Sequence, residues 1–532
     1  MDPLDPLAPL GADAPRDGVG DSADAHAAAP LLNCLLREAG EPVEPSGTVH
    51  RLRGSGRLLR VRGTRRPTRP EVRTADTWHP LTHTELVKLV VEELRALTGL
   101  SNSELPAEMF DSREAVAALL AARSRTPAPE DPYRRSEQSL ITGHPFHPAP
   151  KARGGGPAAG WLPYAPEAYA HFPLTLLGVR EDTVVEEGDT SALDTLGSAP
   201  PGYRLLPAHP WQLDLVGAEL ADAFADGRLV RLGRTEGEVW PTAAIRTVYV
   251  PEYVPLAVST GAPPASDAVP IGAPPAPDLF LKFSLDVRIT NDVRRLWRHD
   301  LLKLRRTDRA VTDAFAGLPG AWLSDCGYRT ADFAFEELAV LVRDGLGSHV
   351  PPGTTPFLAA ALTEDLDAFP DNPLARTADP GAWWEAYLRA VVPPALGAFH
   401  GHGVVLEAHL QNTVVACDPA GTPVQVVYRD AEGVKLLSDV NREAGWERLV
   451  YCLFVNNLLE IAAAVAEHHP EVDLWAAVRR ELARHAELPE VADLLDSSTL
   501  PGKTNLLLRW TGADGADARY LPLPNPIRRT TG

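Results

Sequence analysis

The chain has 532 residues, a formal net charge of −20, 44% hydrophobic and 23% charged residues. That balance fits a soluble globular protein of about two to four domains, and the acidity argues against a general nucleic-acid binder. No clean apolar run of about 18 residues occurs, so no membrane span is expected.

Residues 1–30 are acidic and rich in Pro, Ala and Gly. They lack the basic start and apolar core of a signal peptide and read as a disordered leader. Residues 31–135 read as mainly helical. "HTELVKLVVEELRALTGL" (83–100) has an apolar stripe at 86, 89, 90, 91 and 94 that ends near Gly99. A second helix is predicted at 112–125 with Ser112 as its cap, followed by a linker at 126–135. Residues 50–73 hold nine arginines, and "RLRGSGRLLRVR" suits a hairpin with arginines on one face, solvated or anion-binding.

Residues 136–300 read as sheet with loops. "LKFSLDVRIT" (281–290) alternates like a strand with one wet face. From 301 onward helices are predicted at 333–346, 382–403 and 441–469. The apolar run 449–466, broken by Asn456, Asn457 and Glu460, reads as a buried helix. Strands at 404–418 and 423–437 are expected to form a hairpin bearing polar residues. No repeat is visible, and the class is α+β. Cys34, Cys326, Cys417 and Cys452 include no CxxC pair. They support neither a zinc ribbon nor a disulfide framework and fit a reduced cytoplasmic protein.

Of the 51 basic residues only six are lysine, which suggests a GC-rich genome. A lysine kept against that drift is expected where a compact charge is needed, and four of the six fall in segments that carry other chemical signals. In "GHPFHPAPKARGG" (143–155), His144 and His147 could ligate zinc, but no further ligands are supplied. Lys151 and Arg153 with Gly154–Gly156 form an anion-binding design, and a loop without a ligand is the third reading. "PTAAIRTVYV" (241–250) places Arg246 and Thr247 at a strand start. In "KFSLDVRITNDVRR" (282–295), period two puts Lys282, Ser284, Asp286, Arg288 and Thr290 on one face. A turn after Asn291 would swing Arg294 back over it. "EAHLQN" (407–412) puts Glu407, His409 and Gln411 on one strand face, and "YRDAEG" (428–433) adds Asp430 and Glu432, a plausible magnesium pair. Together these segments offer cations for a polyphosphate, carboxylates for magnesium, and imidazoles for positioning or proton transfer. "PGKTN" (501–505) imitates the end of a Walker loop, but Ser497 stands where its first glycine belongs.

In this order, "GHPFHPAPKARGG", "LPAHPWQLD", "PTAAIRTV", "KFSLDVRITNDVRRL", "EAHLQNTVV" and "YRDAEG" resemble the IucA/IucC family of NRPS-independent siderophore synthetases. The match runs from about 137 to 435, and "GKTNLLLRW" is similar to the family's C-terminal lysine–arginine segment. The resemblance implies an ATP-dependent ligase that uses magnesium. A carboxylate, commonly of citrate, attacks the α-phosphate of ATP to give an acyl-adenylate and pyrophosphate. An amine, hydroxylamine or alcohol then displaces AMP. The implied fold is a cupped hand: a thumb-like part at 31–135, a fingers-like part at 136–300 and a palm-like part at 301–532, commonly dimeric. By the same carry-over, His144 or His147, Arg246, Lys282 and Arg294 would hold the triphosphate, aided by Lys151 and Thr247. Thr290, Arg294 and His409, with Arg153, would orient the acid. Gln411, Asn412 and Asp430 would lie near the nucleotide, and Glu407 with Asp430 or Glu432 near magnesium. His409, Arg294 and Lys282 are the catalytic candidates.

One departure is Ala244, where the family usually has serine, and the acidic leader is not a family feature. Two rivals follow. An aminoglycoside-kinase-like phosphotransferase would share "EAHLQNTVV…YRDAEG", but Gln411 replaces its catalytic aspartate. A non-catalytic siderophore or polycarboxylate binder would use the same cations without releasing pyrophosphate.

Overall fold

A computed structural model describes residues 16–44, 47–154, 156–251, 278–290, 292–513 and 520–528. The first fifteen residues of the expected leader, Gly155 and Asn291 lie outside the described residues.

The helix Arg16–Ala39 occupies half of the segment expected to be disordered. Its Ala27, Ala28, Ala29, Leu31, Leu32 and Leu35 are buried. Alanine is the best helix former, and packing against the helix Glu104–Arg123 outweighs Pro30 within it. Residues 40–80 are likewise not helical. Five short strands, from Gly40–Pro42 to Thr77–Pro80, form an antiparallel meander in sequence order. The predicted hairpin lies inside it: Val49–Leu52 pairs with Leu58–Arg62. Leu59 and Val61 turn inward, while Arg60 on the other face pairs with Glu71 at 2.7 Å.

The helix His83–Thr98 has its predicted ends, a Thr82–Glu85 capping box and Gly99 at φ 71°. The next helix starts eight residues earlier than expected. Asn102 Oδ1 accepts the N–H groups of Glu104 and Leu105 and sets that start. Ser112 is therefore mid-helix, and its buried hydroxyl accepts the N–H of Lys151.

A six-stranded antiparallel sheet forms the middle of the molecule. Its order is Trp240–Pro241, Thr247–Val250, Leu279–Phe283, Val340–Asp344, Asp325–Ala331, Val184–Gly188. The sheet thus takes strands from both sides of residue 300. The predicted helix at 333–346 is a short 3-10 turn followed by the strand Val340–Asp344, whose β-branched "VLV" suits a central strand. The expected strand 281–290 breaks at Ser284. Its second half, Leu285–Ile289, leaves the sheet to pair with Asp292–Arg294. Ser284 fastens the break, donating to the carbonyl of Glu336 and accepting the N–H of Leu296. The five alternate residues from 282 to 290 therefore do not share one face.

In the C-terminal part, Thr413–Cys417 and Pro423–Tyr428 form the predicted antiparallel hairpin. "EAHLQN" is not a strand but a loop leading into the 3-10 turn Leu410–Asn412. The helix Pro380–His402 ends at Gly403. Residues 442–468 are continuous helix, π-wound over Val450–Leu458. That helix is long and apolar enough to cross a membrane by composition alone, yet its most apolar window is 72% buried in the protein. Leu506 and Trp510, near the C-terminal end, complete the hydrophobic core of the N-terminal part.

Candidate active site

A cavity of about 430 Å³ is lined by residues from Ala29 to Glu460, and a smaller one of about 140 Å³ adjoins it. His144, Thr290, Glu407, His409 and Asn456 line both. Backbone strain gathers here. Among the described residues, Ile245 (φ 59°), Thr290 (φ 63°) and Asp430 (φ 81°) hold left-handed conformations and line the main cavity. Such conformations cost about 1–3 kcal/mol each and persist where surrounding structure enforces them.

The main cavity is organised by an ion network. Lys282, its side chain 3% exposed, reaches Asp430 Oδ1 at 2.5 Å and Glu432 Oε2 at 2.7 Å. Arg246 holds Glu432 at 3.1 Å and donates to the carbonyls of Arg294 and Arg295. Behind them the buried Arg343 bridges Asp325 (2.6 Å) and Asp430 (2.9 Å), and Asp325 also accepts the N–H of Ala431. That scaffold explains how a non-glycine residue keeps Asp430's backbone conformation. Burial would raise the Asp430 carboxyl, but Lys282 and Arg343 override it and hold it well below the usual range. Glu432 is lowered in the same way, against burial, by Arg246 and Lys282.

Arg294 differs from its neighbours. It donates to Thr290 Oγ1 (2.5 Å) and the carbonyl of Ile289 (3.0 Å), and among the described residues no carboxylate stands within 4 Å of it. Burial and the nearby Arg246 lower its pKa, as expected of a cation lacking a counter-ion. Thr247, Gln411 and Asn412 complete the wall.

The smaller cavity adds His147, Arg448, Tyr451, Lys503 and Tyr520. Glu407 pairs with Arg448 at 2.6 Å. It lies against Gly433, where a Cβ would come within 1.9 Å of its carboxylate, so a larger residue there would displace the Glu407 side chain. Lys503 has no carboxylate within ion-pair distance among the described residues, and burial lowers its pKa.

The His-Pro motifs have a local cause. The Nδ1 atoms of His144, His147 and His209 accept the N–H two residues on, at 3.0, 3.1 and 3.2 Å. Each imidazole caps its own turn, which leaves the proton on Nε2. Burial lowers His144 to about 3 and also lowers His409, so both are neutral near pH 7. Lys151 and Arg153 line the main cavity, but the structure gives both a carboxylate. Lys151 pairs closely with Glu167, and Arg153 meets the same carboxylate at 3.2 Å.

A sequence model of the IucA/IucC family matches residues 132–257, and one described as a ferric iron reductase FhuF-like transporter matches residues 381–518. The L-2,3-diaminopropanoate–citrate ligase of Staphylococcus aureus is 28% identical over 75% of this chain and 75% of its own. The rhizobactin siderophore biosynthesis protein RhbC of Rhizobium meliloti is 28% identical over 84% of this chain and 85% of its own. ATP-bound aerobactin synthetase IucA from Klebsiella pneumoniae shares the fold, with a TM-score of 0.78 at 22% identity, over 95% of this chain and all of that one. The chain is thus similar to the IucA/IucC family over residues 132–257 and to siderophore synthetases over most of its length.

In this chain the carboxylates nominated for magnesium are already engaged: Asp430 and Glu432 by lysine and arginine, Glu407 by Arg448. Among the described residues no three His, Cys, Asp or Glu side chains converge as a ready metal site. The donors are the hard oxygens magnesium prefers, in the number that suits an ion arriving with phosphate oxygens. Sequence reasoning missed Arg343, Asp325, Arg448, Tyr451 and Glu167. The first two lie in strands that read as core or helix. The only available signal was a charge inside an apolar run, as in "VLVRD".

Proposed function

We propose that this protein is a siderophore synthetase of the IucA/IucC type, an ATP-dependent ligase that adenylates a carboxylic acid, citrate or a citrate derivative, and joins it to an amine, hydroxylamine or alcohol. The observation that carries the reading is Arg294, a half-buried cation with no carboxylate partner among the described residues, which lines the main cavity and donates to Thr290, a residue of both cavities. Two relatives carry citrate ligation or siderophore synthesis in their names, and a neighbour of the same fold binds ATP.

The main cavity takes the nucleotide and the smaller one the acid. Carboxylate attack on the α-phosphate brings two anions together, so fixed cations must offset the repulsion. Arg294, Lys282 and Arg246 do this on the phosphate side. Lys503, Arg448 and His409, with Thr290, orient the acid. The carboxylate oxygen bonds to the α-phosphorus as pyrophosphate leaves. Magnesium would be held by Asp430, Glu432 and Glu407 together with phosphate oxygens, and would supply charge neutralisation to the leaving group. Asp430 and Glu432 give up part of their hold on Lys282 and Arg246, freeing those cations for phosphate.

The test is pyrophosphate release with ATP, magnesium, hydroxylamine and a panel of carboxylic acids. Release dependent on one acid, with AMP as co-product, is the expected result. Turnover without any acid, or ADP as product, would overturn the reading.

A further inference from the structure

On this ligase reading the acyl-adenylate forms where the two cavities join, and a second displacement must follow there. Five residues line both cavities: His144, Thr290, Glu407, His409 and Asn456. Glu407 is engaged by Arg448, the Thr290 hydroxyl by Arg294, and His144 Nδ1 by the N–H of Phe146. His409 is assigned above to the acid. Asn456 has no part in adenylation as described.

Asn456 and its neighbour Asn457 do different things. Asn457 is fully buried and fully bonded. Its Nδ2 donates to the carbonyl of Ala408 (2.9 Å) and to Thr413 Oγ1 (3.2 Å), and its Oδ1 accepts the Tyr387 hydroxyl at 2.5 Å. Those bonds tie the helix to the loop that carries Glu407 and His409. Asn456 is half-buried and faces the cavities instead. Among the described residues its side chain has one partner, the Tyr451 hydroxyl. Burial raises the Tyr451 phenol and this hydrogen bond opposes it, as one donated by the amide does. A side-chain amide has two N–H donors, so the second is left for the cavity.

The winding of the helix brings this pair together. Residues five apart on an α-helix lie about 140° apart around the axis. The wider π turn Val450–Leu458 narrows that angle, so Tyr451 and Asn456 both reach the cavities, and Glu460 follows in the next turn, in the wall of the main one. π-wound segments within α-helices are frequent at functional sites.

We propose that Asn456 is the oxyanion donor of the acyl-transfer half of the reaction: its second N–H holds the acyl oxygen of the adenylate while the nucleophile attacks, and Tyr451 fixes the amide in place. In that step the nucleophile bonds to the acyl carbon and the carbonyl electron pair moves onto oxygen. The pair then returns, the C–O bond to AMP breaks with its electrons leaving on the phosphate, and the nucleophile's proton passes to solvent. A neutral, non-titrating donor already in position suits a charge that exists only in passing. During adenylation the charge develops on the phosphate instead, so that half does not need Asn456.

Single turnovers separate the two halves. The enzyme is given ATP, magnesium, hydroxylamine and citrate, or whichever acid of the panel supports turnover; pyrophosphate then reports adenylation and acyl-hydroxamate reports transfer. Asn456→Ala is expected to form pyrophosphate at the wild-type rate, with the same dependence on acid concentration, and hydroxamate about 10²–10³-fold more slowly. Asn456→Asp keeps the shape but turns the donor into an acceptor. It should show the same split, which guards against a folding defect in the alanine variant. Tyr451→Phe should slow hydroxamate formation about tenfold without slowing pyrophosphate; equal falls in both would make Tyr451 merely structural. Hydroxamate at the wild-type rate in either Asn456 variant overturns the assignment. An equal fall in both products does the same, by placing Asn456 in adenylation or in the fold. If wild-type enzyme forms no acid-dependent pyrophosphate, the ligase reading itself fails, and this assignment with it.

Discussion

The two cavities are built on different electrostatic plans. In the main one Lys282, Arg246 and Arg343 close on Asp430 and Glu432, so its charges are largely balanced before a ligand arrives. In the smaller one Glu407 answers Arg448, while Lys503 has no carboxylate of its own among the described residues. A balanced network keeps its shape when empty and exchanges partners when a triphosphate and metal enter. An unanswered cation keeps its electrostatic attraction for an incoming anion. The first plan suits a ligand that brings its own counter-ion, the second a bare carboxylate.

The largest expected effect is on stability. Lys282→Ala would leave the partly buried Asp430 and Glu432 with fewer counter-charges, and we expect a loss of about 3 kcal/mol together with all turnover. Lys503→Ala removes a charge that no carboxylate among the described residues holds. It should cost about 1 kcal/mol or less in stability and raise the acid KM about tenfold. Denaturant unfolding of the two variants side by side checks this, and equal losses would erase the distinction between the cavities.

Arg294 sharpens the comparison because it behaves like the smaller cavity while lining the larger. Arg294→Ala should fold and lower pyrophosphate release by about 10²–10³-fold, about 2.7–4 kcal/mol of barrier, by analogy with the loss of an oxyanion donor. Near-normal turnover would remove it from the phosphate side.

A pH-dependent effect concerns how Lys503 is held. The helix Asn505–Thr511, directly after it, docks on Glu38, whose carboxylate accepts the N–H groups of Leu506 and Leu507 at 2.9 and 2.8 Å. Burial raises Glu38 to about 7, against those hydrogen bonds. The folded state therefore binds a proton that the unfolded state releases near 4.5, and stability falls as pH rises from about 4.5 through 7. The expected loss is on the order of 3 kcal/mol. Melting of Glu38→Gln across that window should lack the slope; an unchanged slope would assign it elsewhere.

What could be read in advance divides along the same line. Lys282, Arg246, Asp430 and Glu432 were legible because chemically demanding residues cluster in short motifs beside turns. Their convergence was not, because it depends on Leu279–Phe283 running between Thr247–Val250 and Val340–Asp344, a long-range pairing. Arg343 and Glu460 sit singly in apolar runs and read as core. Periodicity located the helix 83–100 and its end near Gly99, where capping is local. It failed at 333–346, where the sheet overrode a helical pattern, and at 16–30, where packing ordered an alanine-rich segment.

The most direct test of the account follows one oxygen atom. The acid that supports turnover is labelled with ¹⁸O in its carboxylates, and the enzyme is run with ATP, magnesium and hydroxylamine. Attack at the α-phosphorus, then cleavage of the acyl C–O bond, leaves one labelled oxygen on AMP; that is the predicted result. Label in inorganic phosphate with ADP as co-product, or AMP without label, would contradict it.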